Sequence, residues 1–286
     1  MVSLKTARTK TLIPDAYAPL YVPTFGEKGH LIYLHENTMF AVRFDPNKLE
    51  IQGSPVSLVK GVSAATANAY PAGSRQYDVS RNGTLVYLVG QAETTPYPIL
   101  SMDASGKTTE MTVPGIYDSP RFSPDGKRLA YIASTARGAD VWISDLERKT
   151  PVQLTFNSPG DYELAWAPDG KHLVFSSGST MWWVRADGST PPVTLLSAEG
   201  DTLRPQSFAP DGRRLAFVRH DLPDIWTLPL DLSDPDHPRP GNPEPFLNEP
   251  KIVEADAAFS PDGKIVAAGG RAISGWCPMS PKWGLL

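Results

Sequence analysis

Apolar and polar positions along the chain fall into short runs, and many of the runs are paired across a tight turn. Tyr117–Phe122 leads into Ser123-Pro124-Asp125-Gly126, and Leu129-Ala130-Tyr131-Ile132 leaves it. The same figure recurs as Leu164-Ala165-Trp166 and Leu173-Val174-Phe175 around Ala167-Pro168-Asp169-Gly170. It recurs again as Gln206-Ser207-Phe208 and Leu215–Val218 around Ala209-Pro210-Asp211-Gly212. Strand, turn, strand predicts a hairpin. A third apolar run follows each pair: Asp140–Ile143, Thr180–Val184 and Asp224–Leu228. A shorter, edge-like fourth comes after it: Val152–Thr155, Val193–Leu196 and Pro245–Leu247. Each repeat thus predicts four antiparallel strands.

The turn itself has a physical logic. Proline presets φ at its second position, Asp or Asn bonds back to the local backbone, and glycine takes the position a side chain would crowd. Ser260-Pro261-Asp262-Gly263 is a further copy, and Ser80-Arg81-Asn82-Gly83 is a weaker one without the proline. The glycines stand at 83, 126, 170, 212 and 263. A period of this size with one small sheet per repeat predicts a β-propeller. Two looser repeats precede the regular ones. Leu31–Leu34, Thr38–Arg43 and Pro55–Val59 belong to the first, while Gln76–Val79, Leu85–Val89, Pro98–Met102 and Thr108–Thr112 belong to the second. Gly61–Ser74 reads as their connection.

The expectation is an all-β, six-bladed propeller of four-stranded blades. The blades span 14–60, 61–113, 114–156, 157–199, 200–250, and 251–268 together with 1–13. Val2–Lys5 and Thr9–Leu12 would supply third and fourth strands to a last blade begun by Glu254–Phe259 and Lys264–Ala267. Closing the ring this way would remove exposed sheet edges. The alternative is a piece of a longer array that closes imperfectly. Gly269–Trp276 matches a third strand poorly, and 269–286 forms an atypical tail. Asp231–Glu244, with four prolines, is expected to be an irregular loop inside the fifth blade.

Composition adjusts this picture little. The chain has 286 residues, 23 glycines and 29 prolines, as many tight turns require, and 41% apolar residues. Twenty-seven basic residues face 31 acidic ones for a net charge of -4, with no basic stripe, which gives nucleic-acid binding little support. The lone Cys277 excludes an intrachain disulfide and a thiolate metal cluster. No apolar leader opens the sequence and no run reaches membrane-spanning length.

The chain carries no G-x-S-x-G elbow, phosphate loop or H-E-x-x-H motif, so no catalytic, cofactor or metal residues are assigned. Its histidines, at 30, 35, 172, 220 and 237, lack an ordered acid companion. Asp125, Asp169, Asp211 and Asp262 recur once per blade and could offer oxygen to calcium, but each is already accounted for by its own turn. Asp140 and Asp224 invite the same local reading. Trp142, Trp182 or Trp183, Trp226 and Phe40 occupy third-strand positions and are expected to pack between blades. An exposed aromatic platform is the other reading, with Trp182 and Trp183 as its candidates; adjacent strand residues face opposite ways.

The Phe122–Tyr131 pattern, F-S-P-D-G-K-x-L-A-Y, followed by D-V-W or D-I-W, resembles the TolB-like, WD40-like (PD40) propeller repeats. Thr38–Val59 and Asn82–Tyr87 further resemble the propeller found behind a kinase domain and membrane span in bacterial serine/threonine protein kinases. The resemblance covers about residues 2–268. It implies a sensory or interaction module that binds a protein or peptide and needs no cofactor, and it brings no kinase motif with it. Two other readings stay open: a propeller hydrolase or lyase with a channel site, and a fragment without function of its own. Arg271–Leu286 departs from the family pattern, as a frame change or truncation would produce.

Overall fold

The computed structural model describes residues 2–3, 10–14, 16–24, 29–63, 75–90, 96–135, 138–148, 150–156, 161–219, 225–247, 252–260, 263 and 265–272. His220, Asp224, Pro261, Asp262, Trp276, Cys277 and most of the 61–74 connection lie outside them. Strand β1 is Val2–Ser3. Blade 1 consists of β2 (Tyr17–Pro23), β3 (Gly29–His35), β4 (Thr38–Asp45) and β5 (Glu50–Lys60). Blade 2 has β6 (Tyr77–Val79), β7 (Leu85–Tyr87), β8 (Leu100–Met102) and β9 (Thr108–Glu110). Blade 3 has β10 (Ile116–Phe122), β11 (Arg128–Thr135), β12 (Gly138–Asp145) and β13 (Thr150–Gln153). Blade 4 has β14 (Asp161–Trp166), β15 (His172–Ser177), β16 (Thr180–Arg185) and β17 (Val193–Ser197). Blade 5 runs β18 (Leu203–Phe208), β19 (Arg214–Arg219) and β20 (Ile225–Asp231), whose outer side takes both β21 (Arg239–Pro240) and β22 (Glu244–Leu247). Every pairing is antiparallel.

The structure has five complete blades, not six. The remaining sheet holds three strands, with β24 (Ile265–Ala272) between β23 (Ile252–Phe259) and β1. Of its expected fourth strand, Thr9–Leu12, the described residues Lys10–Leu12 are not in a strand. Leu12 and Ile13 pack instead on the cluster of Leu31, Tyr33, Val42 and Phe44 in blade 1, and Lys10 Nζ donates to Leu49 O at 2.9 Å. The apolar pair is better covered there than on an open sheet edge. The chain beyond Ala268 also departs from expectation. Gly269–Ala272 does not begin a third strand but prolongs β24, in register with β23 from Gly269↔Asp256 to Ala272↔Ile252. The proline-rich insertion is less irregular than expected, since Arg239 and Pro240 pair with β20.

The innermost strands β2, β6, β10, β14, β18 and β23 surround one axis, and β2 packs beside β23 and β24. Apolar layers fill the gaps between neighbouring sheets. Phe217, Trp183 and Leu215 belong to the layer between blades 4 and 5, and Ile132, Leu164 and Phe175 to the one between blades 3 and 4. The repeated turns touch one another as well. A Cβ on Gly170 would lie 3.7 Å from Pro124 Cδ, and one on Gly263 only 3.2 Å from Pro210 Cδ. Gly170, Gly212 and Gly263 therefore also make room for the proline of the preceding blade's turn.

Candidate functional site: the mouth of the axial channel

Five inner strands change register near the same height. The shifts fall between Tyr17 and Leu20, Asp118 and Arg121, Asp161 and Leu164, Pro205 and Ser207, and Glu254 and Asp256. A bulge re-aims side chains locally, and Ala18 and Ser119 take positive φ values of 52° and 50° within two of these. In β10 and β18 the shift is central, and in β2, β14 and β23 it lies toward the start of the strand, the end away from the turn that follows it. That end of the ring, the mouth, also carries the connections between blades.

A buried polar cluster forms there. Arg121 pairs with Glu163 at 3.3 Å, with both side chains almost wholly enclosed, and donates a 2.6 Å bond to Arg75 O. Gln76 donates to Asp118 at 2.8 Å and accepts from Ser119 N. Asp78 Oδ2 accepts the Phe122 N–H at 2.8 Å, Asp256 Oδ2 accepts the Ala18 N–H at 3.1 Å, and Ser207 Oγ accepts the Phe259 N–H at 3.2 Å. Tyr77 donates its hydroxyl to Ala18 O. Side chains of one inner strand thus satisfy the bulged backbone of its neighbour, as buried amides require.

The cluster holds more acid than it neutralises. Burial and then the Glu163 charge push Asp256 up to about 7, while Arg75 and Arg121 partly offset this. The same two causes push Asp118 up to about 6. Burial and the adjacent Arg75 lower Arg121. Glu163 and Asp256 belong to sheets separated by blade 5, so their interaction runs across the axis. Glu163 Oε1, Asp256 Oδ1 and Arg121 Nε are buried without a hydrogen-bond partner. Around this centre the mouth exposes apolar side chains on its connections: Tyr97, Val113 at 76% exposure and Phe156 at 68%.

The residues singled out from sequence are distributed as follows. Trp183 is 2% exposed, stacks on His172 with ring centres 4.9 Å apart and meets Phe208. Trp182 faces the other way, half-buried against the layer between blades 3 and 4. It is Trp182, opposite Phe175, that matches Trp142 opposite Tyr131, Trp226 opposite Phe217 and Phe40 opposite Tyr33. Gly83, Gly126, Gly170, Gly212 and Gly263 each close their turn onto the carbonyl three residues earlier. Asn82, Asp125, Asp169 and Asp211 accept the N–H two residues on; Pro124, Pro168 and Pro210 precede these aspartates. Asp140 is held by Gln153 and Thr155 side chains. His172 sits between Asp169, 2.6 Å from Nδ1, and Asp236, 3.2 Å from Nε2. Among the described residues, no group of three or more His, Cys, Asp or Glu is placed to hold a metal ion.

The axial cluster escaped sequence reasoning. Its members do keep register with the turn, Gln76, Glu163 and Asp256 standing seven residues before their turn glycines and Asp78, Arg121 and Ser207 five, but Asp118, Arg121, Glu163 and Asp256 sit in runs that otherwise look like ordinary strand residues. A weak signal was present: charged residues inside inner strands that should be apolar on both faces.

The family of this fold follows from comparison. The PD40 model, the TolB beta propeller domain, matches residues 77–236, more than half of the chain. The chain belongs to the PD40 TolB β-propeller family. Among solved structures, this PD40 propeller resembles a TolB-designated protein of Agrobacterium tumefaciens, at TM-score 0.67 and 21% identity over 96% of both chains. It also resembles TolB of Acinetobacter baumannii, at TM-score 0.53 and 16% identity over 90% of this chain and 54% of the other. Both likenesses are of fold. An uncharacterised protein of Agrobacterium fabrum is 26% identical over 56% of this chain and 55% of its own length. Dipeptidyl-peptidase 5 of Trichophyton schoenleinii is 25% identical over 65% of this chain but only 27% of its own length. The chain therefore spans about half or less of the curated relatives it matches. Among the described residues, no helix is long and apolar enough to cross a membrane.

Proposed function

We propose that this propeller is a non-catalytic scaffold that binds a protein or peptide at the mouth of its axial channel. The observation that carries this reading is the pairing of two features at one end of the ring. A charged centre is assembled from blades 2, 3 and 4 and the three-stranded sheet, and exposed Tyr97, Val113 and Phe156 stand on the surrounding connections. Apolar side chains rimmed by polar groups on a rigid scaffold are the usual form of an interaction surface. Trp182 and Trp183 take a supporting role, fixing blade 4 from either side. The proposed partner is a protein or peptide rather than nucleic acid, since charge at the centre is predominantly acidic.

The test places a photo-crosslinking residue at Glu36, Val113, Phe156 or Glu199 on the mouth, and at Lys127, Lys171 or Arg213 on the turn end. One partner crosslinked from mouth positions, and rebinding the purified propeller, supports the reading. Crosslinks confined to the turn end, or absent at both ends, overturn it. The resemblance of Thr38–Val59 and Asn82–Tyr87 to kinase-linked propellers extends the proposal to a module within a longer sensor chain. Sequencing the flanking DNA for a kinase domain and membrane span tests that extension.

A further inference from the structure

Among the described residues, one polar contact between the last sheet and the first blade is chemically unlike its counterparts between other inner strands. Asp256 on β23 reaches β2 by accepting the Ala18 N–H at 3.1 Å through Oδ2. Its other oxygen, Oδ1, is buried without a partner. The two comparable inner-strand contacts differ. Asp78 also has Arg75, 3.9 Å away, and Ser207 contributes a neutral hydroxyl. Asp256 therefore carries a carboxyl across the seam with half of its bonding capacity unmet.

The groups around it offset a charge there only in part, through Arg75 and Arg121. Tyr17 on β2 and Tyr77 on β6 are both raised, first by burial, with the Asp256 charge adding to the effect. Glu163 on β14 faces it across the axis and repels it. Arg121 on β10 is committed to Glu163 at 3.3 Å, and Arg75, ahead of β6, lies beside Asp78. Asp118 on β10 adds acid to the same cluster. On β18, the inner strand beside β23, Ser207 takes the Phe259 N–H, and Arg204 stands at the strand's start. A neutral carboxyl leaves only one polar atom unmet. A carboxylate would be a buried charge whose second oxygen has no hydrogen-bond partner among the described residues, which is far more costly. Separating β23 from β2 would let that oxygen meet solvent, so ionisation favours the separated arrangement.

We propose that Asp256 is a proton-operated latch on the ring seam. Neutral, it holds the three-stranded sheet against blade 1; ionised, it loosens that seam and opens the mouth on this side. The seam is suited to the role because, among the described residues, β1 supports β24 through two pairs, Val2↔Val266 and Ser3↔Ile265. Opening would expose Ala18 and the start of β2, next to the mouth assigned to the partner. The latch does not depend on that assignment, and its test uses no partner.

Hydrogen–deuterium exchange of the full chain at pH 5.5 and 8.5, with labelling times scaled for intrinsic exchange, reads the seam directly. Peptides covering β2 and β23 are expected to lose protection about tenfold at the higher pH, while those covering β15 and β19 keep theirs. Asp256→Asn retains an acceptor for Ala18 and is expected to keep seam protection at both pH values. Glu163→Gln, which removes the facing charge, is expected to shrink the pH effect without abolishing β15 protection. A wild-type seam indifferent to pH, a pH effect that survives in Asp256→Asn, or equal loss in all blades overturns the latch. Should Asp256→Asn fail to fold, the wild-type and Glu163→Gln profiles still decide the matter.

Discussion

At the scale of single residues, the turn glycines show how one amino acid answers two demands. Gly83 and Gly263 both adopt positive φ, at 86° and 67°. A Cβ on Gly83 would meet nothing within 4 Å, whereas one on Gly263 would press on Pro210 Cδ at 3.2 Å. Gly83→Ala should therefore cost only backbone strain, about 1 kcal/mol. Gly263→Ala should cost more, because the proline ring of the neighbouring turn must also give way. Thermal unfolding of the two variants checks this, and an equal loss would mean that the turn-to-turn contact adds nothing. The local half of the demand was legible in the sequence, since Pro-Asp-Gly announces its own conformation. The second half was not. That the proline of one blade stands against the glycine of the next depends on a distance no spacing encodes.

At the scale of elements, strands and turns were recovered best where apolar alternation was backed by a turn, as in blades 3 and 4. β2 was not recognised: Tyr17-Ala-Pro-Leu-Tyr-Val-Pro holds two prolines and has no clear alternation, and Ala18 reaches its positive φ only because Tyr77 and Asp256 hold it from neighbouring sheets. The same holds for the candidate site. Arg121 and Glu163 looked like unremarkable strand positions, yet the bulges bring them to the axis as an ion pair. Breaking that pair on one side leaves Glu163 buried and uncompensated. Arg121→Met is expected to destabilise by about 3–5 kcal/mol, and Arg121→Met combined with Glu163→Gln to recover much of the loss. Urea unfolding of the single and double variants measures the coupling. Additive losses would show that the two side chains act independently.

At the scale of the whole molecule, repeat counting gave the ring but miscounted complete blades, because it assumed that the N-terminal segment belonged to the last sheet. Among the described residues of that segment, Val2 and Ser3 pair there, while Leu12 and Ile13 turn their apolar side chains to blade 1. Removing residues 1–9 should therefore lower the melting temperature less than removing 1–13, and comparable losses would return the weight to the edge pairing. The pH profile follows from the axis. Asp256 and Asp118 lie at about 7 and about 6 in the fold, against about 4 for an unfolded aspartate. The folded chain thus holds protons that the unfolded chain has released. Their stabilisation is complete below pH ~4, declines as pH rises, and is gone above about 7. Asp125 and Asp145 act in the opposite sense. Hydrogen bonds from Ser123 and from the Arg148 N–H, respectively, are the leading causes that lower them, so their small contributions fade as pH falls below 4. Maximal stability should accordingly lie on the acid side of neutrality. Urea midpoints measured from pH 4 to 8 should fall toward neutrality in the wild type and flatten when Asp118→Asn and Asp256→Asn are combined. A wild-type profile that rises over that range would place both carboxyls in a hydrated axis, where ionisation costs the ring nothing.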